Sequence, residues 1–166
     1  MSSSEAGAGG LAAGVVVASN RAAAGVYEDT TGPLIAEFLR GLGFVVGAPF
    51  VVPDGDPVGK AISTYVSAAA RVVLTTGGTG LTPTDRTPEA TRALLDREVP
   101  GIAEAIRAAG VGAGVPSAVL SRGVAGLVGD CLVVNLPGSR GGVQDGLEVL
   151  RPWLVHAVEQ VVGSDH

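Results

Sequence analysis

Arg71-Val72-Val73-Leu74-Thr75-Thr76-Gly77-Gly78-Thr79-Gly80-Leu81-Thr82-Pro83-Thr84-Asp85-Arg86-Thr87-Pro88-Glu89-Ala90-Thr91 runs from an apolar stretch through a glycine-rich turn into a helix start. Val72 to Thr76 is predicted to be a short buried strand. Thr87-Pro88-Glu89 predicts the helix opening, with Thr87 as N-cap, proline at the first helical position and Glu89 at the positive end. Between them lie three glycines, several hydroxyls and the Asp85 carboxylate. Glycines admit the backbone close to an anion, and amides and hydroxyls can then donate to it. A tight strand-to-helix connection with capping threonines would explain the same composition, so the segments around it decide.

Outward from this turn the same alternation repeats. Gly14 to Ser19 predicts a buried strand, followed by a loop from Asn20 to Thr31. Leu34, Ile35, Phe38, Leu39 and Leu42 give a helical stripe with Pro33 near its start and Gly43 at its end. Phe44 to Val52 is a second strand region, interrupted by Pro49. Pro53-Asp54-Gly55-Asp56 is a turn, with Asp56 as N-cap of a helix whose buried face is Val58, Ile62, Val66 and Ala69. Beyond Pro100, Ile102 and Ile106 predict another helix, and Gly110 to Gly114 a flexible break. Gly123 to Asn135 predicts a hairpin about Gly129-Asp130. Val143, Leu147, Leu150, Leu154, Val158 and Val161 predict one long C-terminal helix. This order predicts an α/β fold, a mostly parallel sheet with helices on both faces and a short hairpin near 123–135. Ligands in such sheets sit at the carboxyl ends of strands, where the loops after Ser19, Val52 and Thr76 would converge.

Length and composition bound the remaining classes. The 166 residues suit a single domain, here 11–166, after a flexible Ser/Ala/Gly-rich tail at 1–10. That tail has no Lys or Arg, unlike a secretory signal, and Leu11 to Ala18 is too short to span a bilayer. A lone cysteine, Cys131, cannot form an intrachain disulfide and fits a reducing cytoplasm. The formal net charge is −5, Lys60 is the single lysine, and the arginines are scattered. Neither nucleic acid nor membrane is an expected partner. An anionic ligand would be held by local amides, single arginines or a metal ion.

The glycine-rich turn is neither of two common phosphate motifs. It lacks the Gly-Lys-Ser/Thr of a P-loop, and Pro83 stands where a dinucleotide-binding turn has its third glycine. Asp85 is either a local turn residue or a metal ligand or positioner beside phosphates. The cap explains Asp56, whereas it does not need Asp54, so Asp54 is the preferred second carboxylate. Asn135-Leu136-Pro137-Gly138-Ser139-Arg140-Gly141-Gly142 is a second glycine-rich loop between an apolar strand and a helix, able to receive a second anionic group. His156 on a helix, His166 at the end of the sequence and the apolar setting of Cys131 suggest no nucleophile or base. No zinc pattern or Gly-x-Ser-x-Gly occurs.

Together these residues resemble the molybdopterin-binding (MoCF) family, and within it the Mog/MoaB-type molybdopterin adenylyltransferases. The resemblance runs from about Gly14 to the C-terminal helix. Its most specific marks are Thr75 to Gly80 continuing to Asp85 and Thr87 to Thr91. Ser19 with Arg21, Gly25-Val26-Tyr27, Pro53-Asp54, Leu120-Ser121-Arg122 and Asn135 to Ser139 support it. The likeness implies a three-layer α/β/α fold, assembled as a homo-oligomer with a trimer favoured. It implies adenylyl transfer from ATP to molybdopterin with Mg²⁺, releasing pyrophosphate ahead of a downstream metal-insertion enzyme. It also implies Asp54 and Asp85 as the required carboxylates and tentative Mg²⁺ ligands. Ser19, Thr76, Gly77, Gly78, Thr79, Gly80, Asn135, Pro137, Gly138 and Ser139 are the expected nucleotide and pterin contacts. Asn20 and Gly55 stand where the family often has carboxylates, and Arg86 and Arg140 where it is commonly apolar or proline. A non-catalytic pterin-binding or carrier protein of the same fold is the alternative.

Overall fold

A computed structural model describes residues 7–26 and 28–163. The outer part of the expected tail, Tyr27 of the first-loop mark and His166 lie outside the described residues. Within the tail placed by composition, Ala8 is buried and its amide donates to the Leu42 carbonyl at 2.7 Å, while Gly9 and Gly10 are exposed.

The elements run β1 (Ala12–Ala18), α1 (Asn20–Ala23), α2 (Thr31–Gly41), β2 (Val45–Val46), β3 (Phe50–Val52), α3 (Asp56–Ser67), β4 (Val72–Thr76) and α4 (Thr87–Arg92). They continue with β5 (Arg97–Glu98), α5 (Pro100–Gly112), a 3₁₀ turn (Pro116–Leu120), β6 (Ala125–Val128), β7 (Cys131–Leu136), α6 (Arg140–Leu150) and α7 (Leu154–Val161). The strands form one sheet in the order β2-β1-β4-β7-β6-β5, with β3 also on β1. Pairing is parallel among β2, β3, β1, β4 and β7, and antiparallel for β7-β6 and β6-β5.

Both faces of the central strands are covered, which is why their sequences are continuously apolar rather than alternating. Val15, Val17, Val72, Leu74, Leu132 and Val134 pack with Ile35, Leu39, Ile106, Leu147 and Leu154 on one side. Val16, Val73, Cys131 and Val133 pack with Val58 and Ile62 on the other. A one-residue slip of β4 would exchange these two sets, so burial on both faces pins the register. The layers are therefore α/β/α.

Register sets the site. Val17 lies opposite Thr76, Thr76 opposite Leu136, and Ala18 opposite Val52. The strands end level, so the chain segments at Ser19, Pro53, Gly77 and Pro137 leave the sheet side by side.

Several boundaries differ from the sequence reading. The single C-terminal helix is two, because Pro152 cannot donate to the helix ladder and the chain turns over 151–153. Gly110 is no break: it is buried inside α5, where a Cβ would meet the Ala118 methyl at 2.5 Å. The N-cap of α4 is Arg86 and not Thr87, which is fully buried in the first turn. The N-cap of α3 is Gly55, with Asp56 its first residue. Strand β5, only Arg97–Glu98, is exposed and has no apolar pattern to announce it.

Candidate functional site

The turn after β4 is built from close approaches that only glycine permits. Gly77 has φ +88°, and a Cβ there would collide with the Ala18 carbonyl oxygen. Gly78 has φ +67°, and its Cβ would collide with the Asp54 carboxylate and the Thr87 hydroxyl. A Cβ on Gly80 would stand 2.8 Å from Asp85 Oδ2. The two predicted aspartates therefore lie against Gly78 and Gly80 of one turn, although they are 31 positions apart in the chain (85 − 54).

Each carboxylate is oriented by donors. Asp54 Oδ1 accepts from the amides of Gly55 at 2.7 Å and Arg86 at 3.0 Å, and from the Thr87 hydroxyl at 3.5 Å. Asp85 Oδ2 accepts from the Thr82 amide at 3.0 Å and its hydroxyl at 2.8 Å. Asp54 Oδ2 and Asp85 Oδ1 make no hydrogen bond among the described residues, so each carboxylate keeps an acceptor in hand. The Asp54 amide donates to Asn20 Oδ1 at 3.0 Å. Asn20 thus supplies the acceptor that a carboxylate would, without its charge. Gly55 has φ +95°, a conformation that favours glycine.

The second loop is held more simply. Ser139 caps α6, its Oγ accepting from the Gly142 amide at 3.1 Å. Gly138 packs against Gly77, where a Cβ would meet the Gly77 Cα at 3.2 Å. This contact separates two cavities. One, of about 360 Å³, is lined by Gly78, Thr79, Gly80, Asp85, Pro137, Ser139 and by residues of α5, α6 and the 3₁₀ turn, among them Arg107, Ala118 and Asp145. The other, of about 260 Å³, is lined by Ser19, Asp29, Thr30, Thr31, Thr76 and Gly77. Gly138 faces both.

The predicted residues therefore divide. Ser19, Thr76 and Gly77 line the smaller cavity; Gly78 to Gly80, Asp85, Pro137 and Ser139 line the larger. Asp54 lines neither and stands behind Gly78. Asn135, expected among the contacts, is 3% exposed and fully engaged inside the protein. Its Nδ2 donates to the hydroxyls of Thr75 at 2.9 Å and Thr91 at 3.0 Å, and its Oδ1 accepts from the Val124 amide at 3.1 Å. It ties β4, α4 and the β6 entry together beneath the site. The Thr76 hydroxyl likewise donates to the Pro137 carbonyl at 2.6 Å and joins the two loops.

Sequence reasoning gave Arg122 no role of its own. Its guanidinium donates to the carbonyls of Gly80 at 2.9 Å and Asp85 at 2.8 Å, and pairs with Glu89 at 2.6 Å. That hydrogen bond holds the Glu89 carboxyl below its usual range and raises Arg122 above its own. Burial pushes the Cys131 thiol up to about 12, so it is inert core.

Two glycine-lined cavities and two oriented carboxylates thus lie at the carboxyl edge of a parallel sheet, the edge at which α/β/α domains place their ligands. Residues 14–156 match the family described as a probable molybdopterin binding domain, and the chain belongs to that family. It is 35% identical over 157 residues to the molybdopterin adenylyltransferase of Helicobacter pylori, covering 91% of this chain and 88% of that protein. It is 39% identical to the molybdenum cofactor biosynthesis bifunctional protein of Synechococcus elongatus, covering 95% of this chain and spanning 49% of that longer protein. The solved structure of the molybdopterin biosynthesis Mog protein of Mycobacterium ulcerans superposes with a TM-score of 0.87 at 52% identity, covering 91% of this chain and 99% of that one.

Proposed function

We propose that this chain is a molybdopterin adenylyltransferase of molybdenum cofactor biosynthesis, transferring the adenylyl group of ATP to molybdopterin with release of pyrophosphate. The observation that carries the reading is the placement of Asp54 and Asp85 against Gly78 and Gly80 of one anion-accepting turn. The reaction brings a phosphate of the pterin against the α-phosphate of ATP, so several negative charges crowd together. Catalysis of this kind is mostly alignment and charge stabilisation, which amides and few side chains can supply. The backbone of Gly77 to Gly80 approaches the phosphates, the Gly138–Gly77 contact sets two ligand portions on either side, Asp85 lines the larger cavity and Asp54 stands behind Gly78.

Mg²⁺ fits this donor set. Among the described residues no group of three or more His, Cys, Asp or Glu side chains could hold a metal alone. Magnesium that arrives with a nucleotide needs only one or two carboxylates plus phosphate oxygens and water. Asp54 and Asp85 would hold it, and when bound it would neutralise phosphate charge.

Asn20 and Gly55 bear on the alternative of a non-catalytic pterin carrier. Both have scaffolding roles around Asp54, one accepting its amide and one turning the chain after it, and neither removes Asp54 or Asp85. That favours the enzyme. A cytoplasmic homotrimer delivering its product to a metal-insertion enzyme completes the proposal, alongside the finding that no helix among the described residues is long and apolar enough to cross a membrane. Incubation with molybdopterin, Mg²⁺ and ATP is expected to yield adenylylated pterin and stoichiometric pyrophosphate. Pterin binding without pyrophosphate release would decide for the carrier.

A further inference from the structure

We propose that Arg122 is a positioning residue of the adenylyl-transfer site: its planar guanidinium, anchored on Glu89, ties the carbonyls of Gly80 and Asp85 together and so fixes where the Asp85 carboxylate stands. This rests on the transferase reading given above for Asp85. Arg122 follows the 3₁₀ turn Pro116–Leu120, far in sequence from the turn it holds, and reaches it by backbone and side chain together. Its amide donates to the Thr79 carbonyl at 2.8 Å. Nε donates to Gly80 O at 2.9 Å, Nη2 to Asp85 O at 2.8 Å and Glu89 Oε1 at 3.3 Å, and Nη1 to Glu89 Oε2 at 2.6 Å.

Arginine has five N–H groups in a fixed fork, and these contacts engage four of them. No pair of donors remains to grip a phosphate, so Arg122 acts on the reaction through the turn. The carbonyls of Gly80 and Asp85 bracket the segment that also contains Thr82 and Pro83. Holding both on one rigid plane sets the span of that segment. The Thr82 amide and hydroxyl, which orient Asp85 Oδ2, lie inside the span. A lysine keeps the charge but has three donors on one nitrogen and no fixed plane, so it does not reproduce the four contacts that span the two carbonyls and both Glu89 oxygens. Arg107 is the internal contrast. It also satisfies backbone carbonyls, those of Ser121 at 3.2 Å and Gly123 at 3.0 Å, but among the described residues donates to none in either aspartate's turn.

The test is a double-mutant cycle for kcat with Mg-ATP and molybdopterin, combined with amide hydrogen exchange. Arg122→Ala is expected to lower kcat by about 10- to 100-fold with KM values within about threefold. Arg122→Lys is expected to fall nearer the alanine variant than the wild type. In an Asp85→Asn background, Arg122→Ala is expected to add less than about threefold, because its effect passes through that carboxylate. Exchange at the amides of Thr82, Asp85 and Arg86 is expected to accelerate at least about tenfold in Arg122→Ala while Val73 and Leu74 stay protected. If Arg122→Ala folds poorly, Glu89→Gln is expected to give a smaller change of the same sign in both readouts. A full multiplicative loss in the Asp85→Asn background, wild-type rescue by lysine, or unchanged exchange in the turn would overturn the proposal. A wild-type protein that exchanges as expected but makes no adenylylated pterin would instead overturn the transferase reading.

Discussion

The turn at Gly77–Gly80 and the loop at Gly138–Gly142 look alike in sequence, each a glycine-rich link from an apolar strand to a helix, yet they are held in different ways. The second is capped from within, Ser139 accepting from Gly142 three residues on. The first is held from outside: Asp54 accepts the Arg86 amide, Thr87 donates back to Gly78 O at 3.1 Å, and Arg122 crosses from another part of the chain. The second loop therefore has a cap of its own, besides its contacts to the first through Thr76 and Gly77. A turn held by remote partners can be reshaped by changes far from it, and this is the one that carries Asp85.

The comparison breaks most sharply at Gly77. Gly77→Ala combines φ +88° with a collision against the Ala18 carbonyl, so the turn must move. A loss of about 2–4 kcal/mol in urea-denaturation stability is expected, with binding lost alongside. Asn135→Ala comes next. It strands the Val124 amide and frees two buried hydroxyls, at an expected cost of about 2–3 kcal/mol by the same measurement. Its activity is expected to fall more than that of Ser139→Ala, which loses one cap bond worth about 1 kcal/mol and leaves the remotely held turn intact.

The smallest effect is electrostatic. The Glu89 carboxyl is held below its ordinary range by Arg122, so its contribution is present above the unfolded value of about 4.5 and lost as pH falls through the folded value. The pair is more than a third exposed and so screened by solvent, and Glu89→Gln is expected to flatten the acid limb of stability only slightly, and less still at high salt. A steep acid limb removed by this substitution would mean the clamp carries more of the fold than its exposure allows.

The same distinction explains what could be read from sequence. Val15 to Ala18, Val72 to Leu74 and Val133 to Leu136 announce buried parallel strands because both of their faces are covered, and the Gly129-Asp130 hairpin announces itself by its turn. Once the strands were in order, their level ends brought Asp54, the glycine turn and Pro137 to one edge. Asn135 reads in sequence as a ligand contact because it is polar and beside a glycine loop, whereas its three hydrogen-bond partners come from β4, α4 and the β6 entry, 11 to 60 residues away and invisible to local pattern. Arg122 stayed silent for a related reason: nothing near it in sequence says which carbonyls it will reach. Strand β5 was missed because two exposed charged residues have no periodicity to detect. The split of the C-terminal helix was legible at Pro152 but outweighed by an apolar stripe that continues across it.

In the proposed reaction Asp54 and Asp85, set against two glycines of one turn, are the carboxylates that adenylyl transfer requires. Pyrophosphate release and molybdopterin affinity measured together in Asp54→Asn and Asp85→Asn test it most directly. Each variant is expected to lose about two or more orders of magnitude in rate while its pterin Kd stays within about threefold, since the glycine loops remain. Near-wild-type rates in both variants would contradict the account.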